Sequence, residues 1–210
     1  AASDVYKRQD NKIFINLAGT ALTKDQHSKV KIYYEGVPPT IKDENGVDKG
    51  LIYSKHGKKE NLVIASVCFP NGGYLWFPCK AGLGDKADSA YIDITIADKT
   101  VEELVMNAKT QAEEVKAMPI IAVSNGMFAG VEKVDGGKKK FQWRHRNRIA
   151  PHHVLLAVSN FLKVESKFKD AAHSFPIDFY VFAENTQESS ALINRVPEVM
   201  ACLVNTFGAY

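Results

Sequence analysis

Apolar and polar residues alternate along many short segments of the chain, and such alternation is typical of half-buried β-strands. In residues 29–34, Val30, Ile32 and Tyr34 share one face, while two lysines and a second tyrosine share the other. Residues 91–96 repeat the pattern with three isoleucines on one face. The pattern predicts a strand over each segment, with one side turned toward a core.

Further strands are predicted where apolar or alternating runs are bounded by turn residues. A continuous apolar run at 62–67 is typical of a buried strand. The other predicted strands cover residues 12–17, 120–123, 127–133, 140–145, 154–159 and 177–182. Asn125-Gly126 and Asp135-Gly136-Gly137 each predict a hairpin turn, because glycine accepts the positive φ that tight turns need. The polar residues 41–50 are predicted to form an exposed loop.

One segment within the β-rich region has the period of an α-helix instead. Thr100 and Glu103 form a T-x-x-E capping box, and apolar residues follow at helical spacing as far as Pro119. Proline cannot continue a helix, because it lacks the amide hydrogen and its ring clashes with the preceding turn. The pattern predicts an inserted helix that ends before Pro119.

A second helix is predicted from about residue 186 to residue 207, followed by Gly208 as its C-terminal stop. Leu192, Val199 and Leu203 recur at helical spacing within it. We expect these side chains to form an exposed apolar patch that a neighbouring domain normally covers.

Composition and charge narrow the class of protein. The chain has 210 residues, of which 45% are hydrophobic and 24% are charged, as expected of a globular domain with a sizeable core. A formal net charge of +3 is too small to predict a nucleic-acid partner, and no apolar run approaches the roughly 20 residues of a membrane span. The three cysteines, Cys68, Cys79 and Cys202, allow one disulfide or none, so no disulfide framework is predicted.

Several motifs occur in the order found in one family of enzymes. Phe77-Pro78-Cys79, then Asp85-Lys86-Ala87 and a strand, resemble the F-P-C … D-K-A region in the N-terminal domain of M1 zinc aminopeptidases. Ser124-Asn125-Gly126 resembles the S-N-G turn of that family. Residues 205–210 resemble the F-G-x-Y-P-F sequence that ends the first helix of its catalytic domain. Each match alone is weak, but their order over residues 10–210 is fairly specific.

This resemblance implies a mainly β fold: an antiparallel, saddle- or sandwich-like β domain with one inserted helix and a C-terminal helix. The implied organisation is an N-terminal β domain over residues 10–184 that is incomplete at its start, and the beginning of the catalytic domain over 185–210. Residues 1–9 resemble a translated sequencing-adapter peptide, so we interpret them as non-native. The implied partners are the rest of the catalytic domain and a peptide substrate.

The chain lacks the motifs that carry the chemistry of this family. Neither the zinc-binding H-E-x-x-H nor the amine-binding G-x-M-E-N sequence occurs, so we expect no catalytic residue, no metal ligand and no cofactor within these residues, and zinc in a catalytic domain beyond Tyr210. The family's N-terminal domain lends one polar side chain to the substrate's amine, from the segment before F-P-C. An ungapped alignment places Val67 and Phe69 there, and Tyr74 where an arginine is common. Either the alignment slips and Asn71 supplies the acceptor, or part of the pocket is lost. Asn71 and Tyr74 are the candidate substrate-binding residues.

Two functions therefore stay open. The first is a non-catalytic domain that covers the active-site cleft of an M1-like metallopeptidase and helps to position the peptide N-terminus. The alternative is a β-sandwich module of a degenerate, non-peptidase homologue, which binds peptide or glycan through exposed aromatic residues such as Trp76 and Tyr74. A zinc-binding motif further along the gene would favour the first function.

Overall fold

The computed structural model describes residues 6–9, 12–15, 22–70, 72–80, 84–107, 109–171 and 173–208. The chain divides into two compact units, residues 1–36 and 37–210. The described residues form fourteen strands and one long helix: β1 Tyr6–Gln9, β2 Lys12–Ile15, β3 Thr40–Lys42, β4 Asp48–His56, β5 Asn61–Val67, β6 Ala90–Ala97, β7 Thr100–Met106, β8 Glu113–Pro119, β9 Ile121–Ser124, β10 Met127–Val134, β11 Lys138–His145, β12 Leu156–Ser159, β13 Leu162–Lys169, β14 Ser174–Val181 and α1 Thr186–Phe207. The predicted mainly β, antiparallel fold with a C-terminal helix is confirmed.

In the first unit, β1 and β2 pair as an antiparallel two-stranded sheet. The strand predicted at 29–34 is wrong, because these residues join no ladder in the described part of the chain. Tyr33 and Val30 on its two alternating faces are 89% and 48% exposed. Alternation alone does not make a strand, since the backbone also needs a neighbouring strand to satisfy its N–H and C=O groups.

The described residues of the second unit form four antiparallel sheets, of which β7-β8 and β13-β14 are two-stranded and two larger ones pack together. The two larger sheets enclose the core. One has five strands in the order β3-β4-β5-β12-β9, and the other has three in the order β10-β11-β6. The core lies between them: Ala122, Val123 and Val158 from the first sheet meet Phe141 and Trp143 from the second. The isoleucines of β6 pack against this cluster as predicted. The arrangement is that of a β-sandwich, in which each strand turns alternate residues inward.

A β-hairpin replaces the helix that was predicted after Thr100. Strands β7 and β8 pair in register, with Val101 opposite Met118 and Leu104 opposite Val115. Cross-strand pairs of apolar and β-branched side chains favour a strand, and Val101, Glu103 and Val105 share one face of β7 because side chains alternate along a strand. Glu103 forms no capping box, because its side chain is buried in the second unit. The prediction of an inserted helix is therefore wrong.

The turns differ in part from their predictions. The loop predicted over 41–50 is instead the β3–β4 hairpin, whose turn is held by the Asp43 carboxylate. The Val47 N–H, the Lys49 ammonium and the Asn45 N–H all stabilise the charged form, so the pKa of Asp43 lies below its ordinary value. The hairpin predicted at Asp135-Gly136-Gly137 is confirmed between β10 and β11.

Asn125-Gly126 is a turn but not a hairpin, because it joins β9 of the five-stranded sheet to β10 of the three-stranded sheet. Gly126 has a φ of 88°, and a Cβ on it would overlap the backbone carbonyl of Arg144. Glycine is required here both by the positive φ and by the close approach of β11. The N-G sequence therefore marks a crossing between the two layers of the sandwich.

The C-terminal helix α1 has the predicted extent. Gly208 follows it with a φ of 91° and donates its N–H to the carbonyl oxygen of Val204. Ile193 is its buried anchor. Leu192, Val199 and Leu203 are 70%, 52% and 43% exposed, so the predicted apolar patch is confirmed. Among the described residues, α1 and the other helical segments are too short or too polar to cross a membrane.

Candidate functional site

A cluster of polar side chains lies buried where several elements of the second unit meet, and we call it the His56 cluster. Its members are His56 at the end of β4, Glu103 in β7, Ser159 and Asn160 at the end of β12, and Glu184 in the helical turn Ala183–Asn185. Glu103, Ser159 and Asn160 are each only 1% exposed. Buried polar groups of this kind stabilise a fold only when their hydrogen bonds are made.

The Glu103 carboxylate is held by three N–H donors. Asn61 Nδ2 and Asn160 Nδ2 donate to Oε2 at 2.8 and 3.1 Å, and the N–H of Leu104 donates to Oε1 at 2.9 Å. Burial by itself raises the pKa of this carboxyl, but the three hydrogen bonds and the nearby His56 outweigh it, so the pKa of Glu103 lies below its ordinary value. Glu103 is therefore a buried anion at neutral pH.

The orientation of Asn160 fixes the role of the His56 ring. Because Asn160 Nδ2 donates to the Glu103 carboxylate, its Oδ1 must be the atom that faces His56 Nε2, at 2.9 Å. An amide oxygen only accepts, so Nε2 carries a hydrogen and donates it. Phe182 stacks on the imidazole with the ring centroids 4.0 Å apart, which leaves Nδ1 as the other polar edge of the ring.

Two carboxylates lie near His56 Nδ1. Glu184 Oε1 is 2.8 Å from it and Glu103 Oε2 is 3.9 Å away. The His56 and Glu103 side chains are 7% and 1% exposed, whereas the Glu184 side chain is 34% exposed and connects the cluster to solvent. One ligand atom from each of these three residues lies within 4.8 Å of the others.

Gly57 allows the backbone of the β4–β5 turn to lie close to the Glu103 carboxylate. It follows β4 with a φ of 65°, and a Cβ at this position would lie 3.0 Å from Glu103 Oε1 and 3.1 Å from Oε2. Positive φ costs a residue other than glycine roughly 1 kcal/mol or more, and the added carbon would press on a buried charged group. Glycine therefore brings the β4–β5 turn against the carboxylate.

The residues predicted to bind substrate are not members of the His56 cluster. Tyr74 is in the helical turn Gly73–Leu75 and is 44% exposed, while Asn71 lies outside the described residues. Trp76 is half-buried, and its Nε1 donates to Cys68 Sγ at 3.1 Å. Burial raises the pKa of the nearby Cys79 thiol, which makes it a poor nucleophile at neutral pH.

Sequence reasoning missed the His56 cluster because its members are far apart along the chain. His56, Glu103 and Glu184 belong to three segments, and none of them forms a recognisable spacing with another. The available signal was Glu103 itself, an acidic residue beside the apolar Leu104 and Val105 in a segment otherwise suited to a buried strand. A carboxylate in such a place indicates a buried polar partner.

Comparison with known proteins adds no family to this description. No protein-family model and no curated protein matches the chain. What the structure establishes is a β-sandwich-like unit with antiparallel sheets, a C-terminal helix that exposes an apolar face, and a buried polar cluster beside the start of that helix.

Proposed function

We propose that this chain is the non-catalytic N-terminal domain of an M1-like zinc aminopeptidase, with the first helix of its catalytic domain attached. In this role it covers the active-site cleft and helps to position the N-terminus of a peptide substrate. The motifs F-P-C, D-K-A, S-N-G and F-G-x-Y support the proposal through their order along the chain.

The observation that carries the proposal is the exposed apolar face of α1. Leu192, Val199, Leu203 and Phe207 are 70%, 52%, 43% and 82% exposed. Their spacing of seven, four and four residues places them on one side of an α-helix. Such a row on a helix is costly in water unless another surface covers it. In the family that the chain resembles, the catalytic domain would supply that surface.

Tyr74 gives the proposal a substrate-facing residue. It is exposed and lies three residues before Phe77-Pro78-Cys79, in the segment from which the family contributes a side chain to the substrate's amine. A phenol can donate or accept one hydrogen bond and can pack its ring against a side chain of the peptide. We propose that Tyr74 positions the substrate and takes no part in bond cleavage.

The test compares this chain with the protein encoded by the longer reading frame. With zinc present, the longer protein should hydrolyse an aminoacyl 4-nitroanilide and the 210-residue chain alone should not. Tyr74→Ala in the longer protein should raise KM with little change in kcat. Hydrolysis by the 210-residue chain, or a reading frame that continues into an unrelated domain, would contradict the proposal.

The docking surface has its own test in the longer protein. Leu203→Asp should lower its thermal midpoint and its activity, because a charge would be buried against the catalytic domain. In the 210-residue chain the same change should leave the midpoint nearly unchanged, since Leu203 is exposed there. Asn194→Asp, on the opposite side of α1, is the matched control and should be neutral in both proteins.

The structure offers less support for the alternative, a peptide- or glycan-binding module. Trp76 was expected to be an exposed contact residue, but it is half-buried, packs edge-on against Phe77 and donates its Nε1–H to Cys68. Its polar atom is therefore already used within the fold. Saturable peptide or glycan binding by the 210-residue chain, together with a reading frame without a zinc motif, would favour the alternative.

A further inference from the structure

We propose that His56, Glu103 and Glu184 form a structural binding site for one divalent transition-metal ion, with zinc as the best-fitting member of that class. The site would be separate from any catalytic zinc, because none of the three residues belongs to an H-E-x-x-H sequence. It revises the expectation, drawn from the missing motifs, that these residues hold no metal.

The distances between the ligand atoms are close to those of an assembled site. Zinc bound tetrahedrally at about 2.1 Å holds its donor atoms roughly 3.4 Å apart. Here Nδ1 of His56 lies 2.8 Å from Glu184 Oε1 and 3.9 Å from Glu103 Oε2, so the two separations bracket that value. All three ligand atoms lie within 4.8 Å of one another, so movements on the order of 1 Å would complete the three-ligand set.

The hydrogen bond at the other ring nitrogen prepares His56 to act as a ligand. Histidines that bind metals commonly donate their second N–H to a carbonyl or carboxylate oxygen, which fixes the tautomer and the ring plane. In this structure Nε2 faces Asn160 Oδ1 at 2.9 Å, and Asn160 is itself held by Glu103. The hydrogen therefore stays on Nε2, and Nδ1, whose hydrogen bond to Glu184 the ion would replace with release of a proton, is the ligand atom.

Glu103 keeps capacity to bind a cation. A carboxylate has about four lone-pair sites, two on each oxygen. Asn61 and Asn160 donate to Oε2 and Leu104 donates to Oε1, so one site on Oε1 stays open, and an ion held by Oε2 would displace one of the two amide donors. These same donors orient the group and keep it ionised, as the supporting shell of a metal site does. The burial of Glu103 and Asn160 also limits competition from water.

The ligand chemistry and the exposure select the kind of ion. One imidazole and two carboxylates suit zinc and its first-row neighbours, whereas magnesium favours an all-oxygen shell with several waters. The Glu184 side chain is 34% exposed, so the ion can arrive from solvent on that side and water can fill the fourth position. Bound there, the ion would tie the turn before α1 to strands β4 and β7.

The test uses the 210-residue chain after removal of metals with a chelator. Zinc titrated by calorimetry should bind with one-to-one stoichiometry, and at about 100 times the Kd it should raise the thermal midpoint by roughly 5–10 °C. Magnesium at the same concentration should not. Cobalt should give a visible d–d spectrum of nitrogen and oxygen ligation, without the near-ultraviolet charge-transfer band of a thiolate.

Two matched variants decide the outcome. Glu184→Gln removes the half-exposed ligand and should weaken zinc binding at least tenfold, while Glu188→Gln, an exposed neighbour in the first turn of α1, should bind zinc as the wild type does. Equal zinc binding by both variants would overturn the proposal. A thiolate band in the cobalt spectrum would also overturn it, because it would assign the ion to a cysteine such as the exposed Cys202.

Discussion

Replacing Asn160 by leucine, a side chain with the same branched arrangement of heavy atoms, should remove the hydrogen bonds at the centre of the His56 cluster. Leucine cannot donate to Glu103 Oε2, 3.1 Å away, or accept from His56 Nε2, 2.9 Å away. Removing one partner of a buried hydrogen bond costs about 1–3 kcal/mol, and the cost is larger when the other partner is charged. Glu103 keeps the donors Asn61 and Leu104, so we expect a net loss of about 3 kcal/mol in the free energy of unfolding.

The assay is reversible urea or thermal unfolding in the presence of a chelator, so that no metal contributes. For a chain of this length, a loss of about 3 kcal/mol corresponds to a fall of roughly 6–12 °C in the thermal midpoint. The control is Asn147→Leu, at an exposed position, which should change stability by less than about 0.5 kcal/mol. An Asn160→Leu protein as stable as the control would refute the claim that the cluster holds these elements together.

Three further predictions concern other parts of the second unit. Trp143→Phe should cost about 1–2 kcal/mol in denaturant unfolding, because it deletes the Nε1–H donated across the sandwich to the carbonyl of Ala122 at 3.1 Å; an unchanged midpoint would contradict this. Asp43→Asn should destabilise the protein at pH 6 but much less near pH 2. Backbone N–H donors and a lysine lower the pKa of Asp43 in the folded state. The carboxylate therefore stabilises the fold above about pH 4, and this stabilisation is lost as the pH falls through the folded-state pKa. A pH-independent difference from wild type in urea unfolding would exclude that role. Gly126→Ala should lower the thermal midpoint far more than Gly136→Ala, because both residues have positive φ but only the first lacks room for a Cβ; equal effects would show that the crossing between the sheets can relax.

The most successful strand predictions were those in which apolar and polar residues alternate because one face of the strand is buried. In β6, Ile92, Ile94 and Ile96 pack on the core while the residues between them are exposed, so the period of two was sufficient. The same signal failed at 29–34, where the alternating residues have no neighbouring strand. Periodicity reports what a segment can bury, but the presence of a pairing partner depends on the rest of the fold.

The prediction at Thr100 failed for a related reason. The T-x-x-E sequence is a valid helix start only when the glutamate is free to reach back to the cap. Glu103 instead makes its hydrogen bonds with Asn61 and Asn160, which come from distant segments. These tertiary bonds, together with the β-branched residues of β7 and β8, outweigh a helical preference of a few tenths of a kcal/mol per residue.

The His56 cluster and the apolar face of α1 have linked consequences for the proposed domain. Glu184 lies in the turn that leads directly into α1, and its hydrogen bond to His56 at 2.8 Å attaches that turn to the end of β4. Ile193 anchors the inner side of the same helix, while Leu192 on the outer side is 70% exposed. A surface that docks on the outer side would therefore meet a helix whose start is already fixed by the β domain. Because a fixed helix loses less conformational entropy on docking than a mobile one, the cluster would favour binding without touching the partner. Loss of the Glu184 carboxylate should therefore weaken docking on the apolar face of α1, although Glu184 is not itself part of that face.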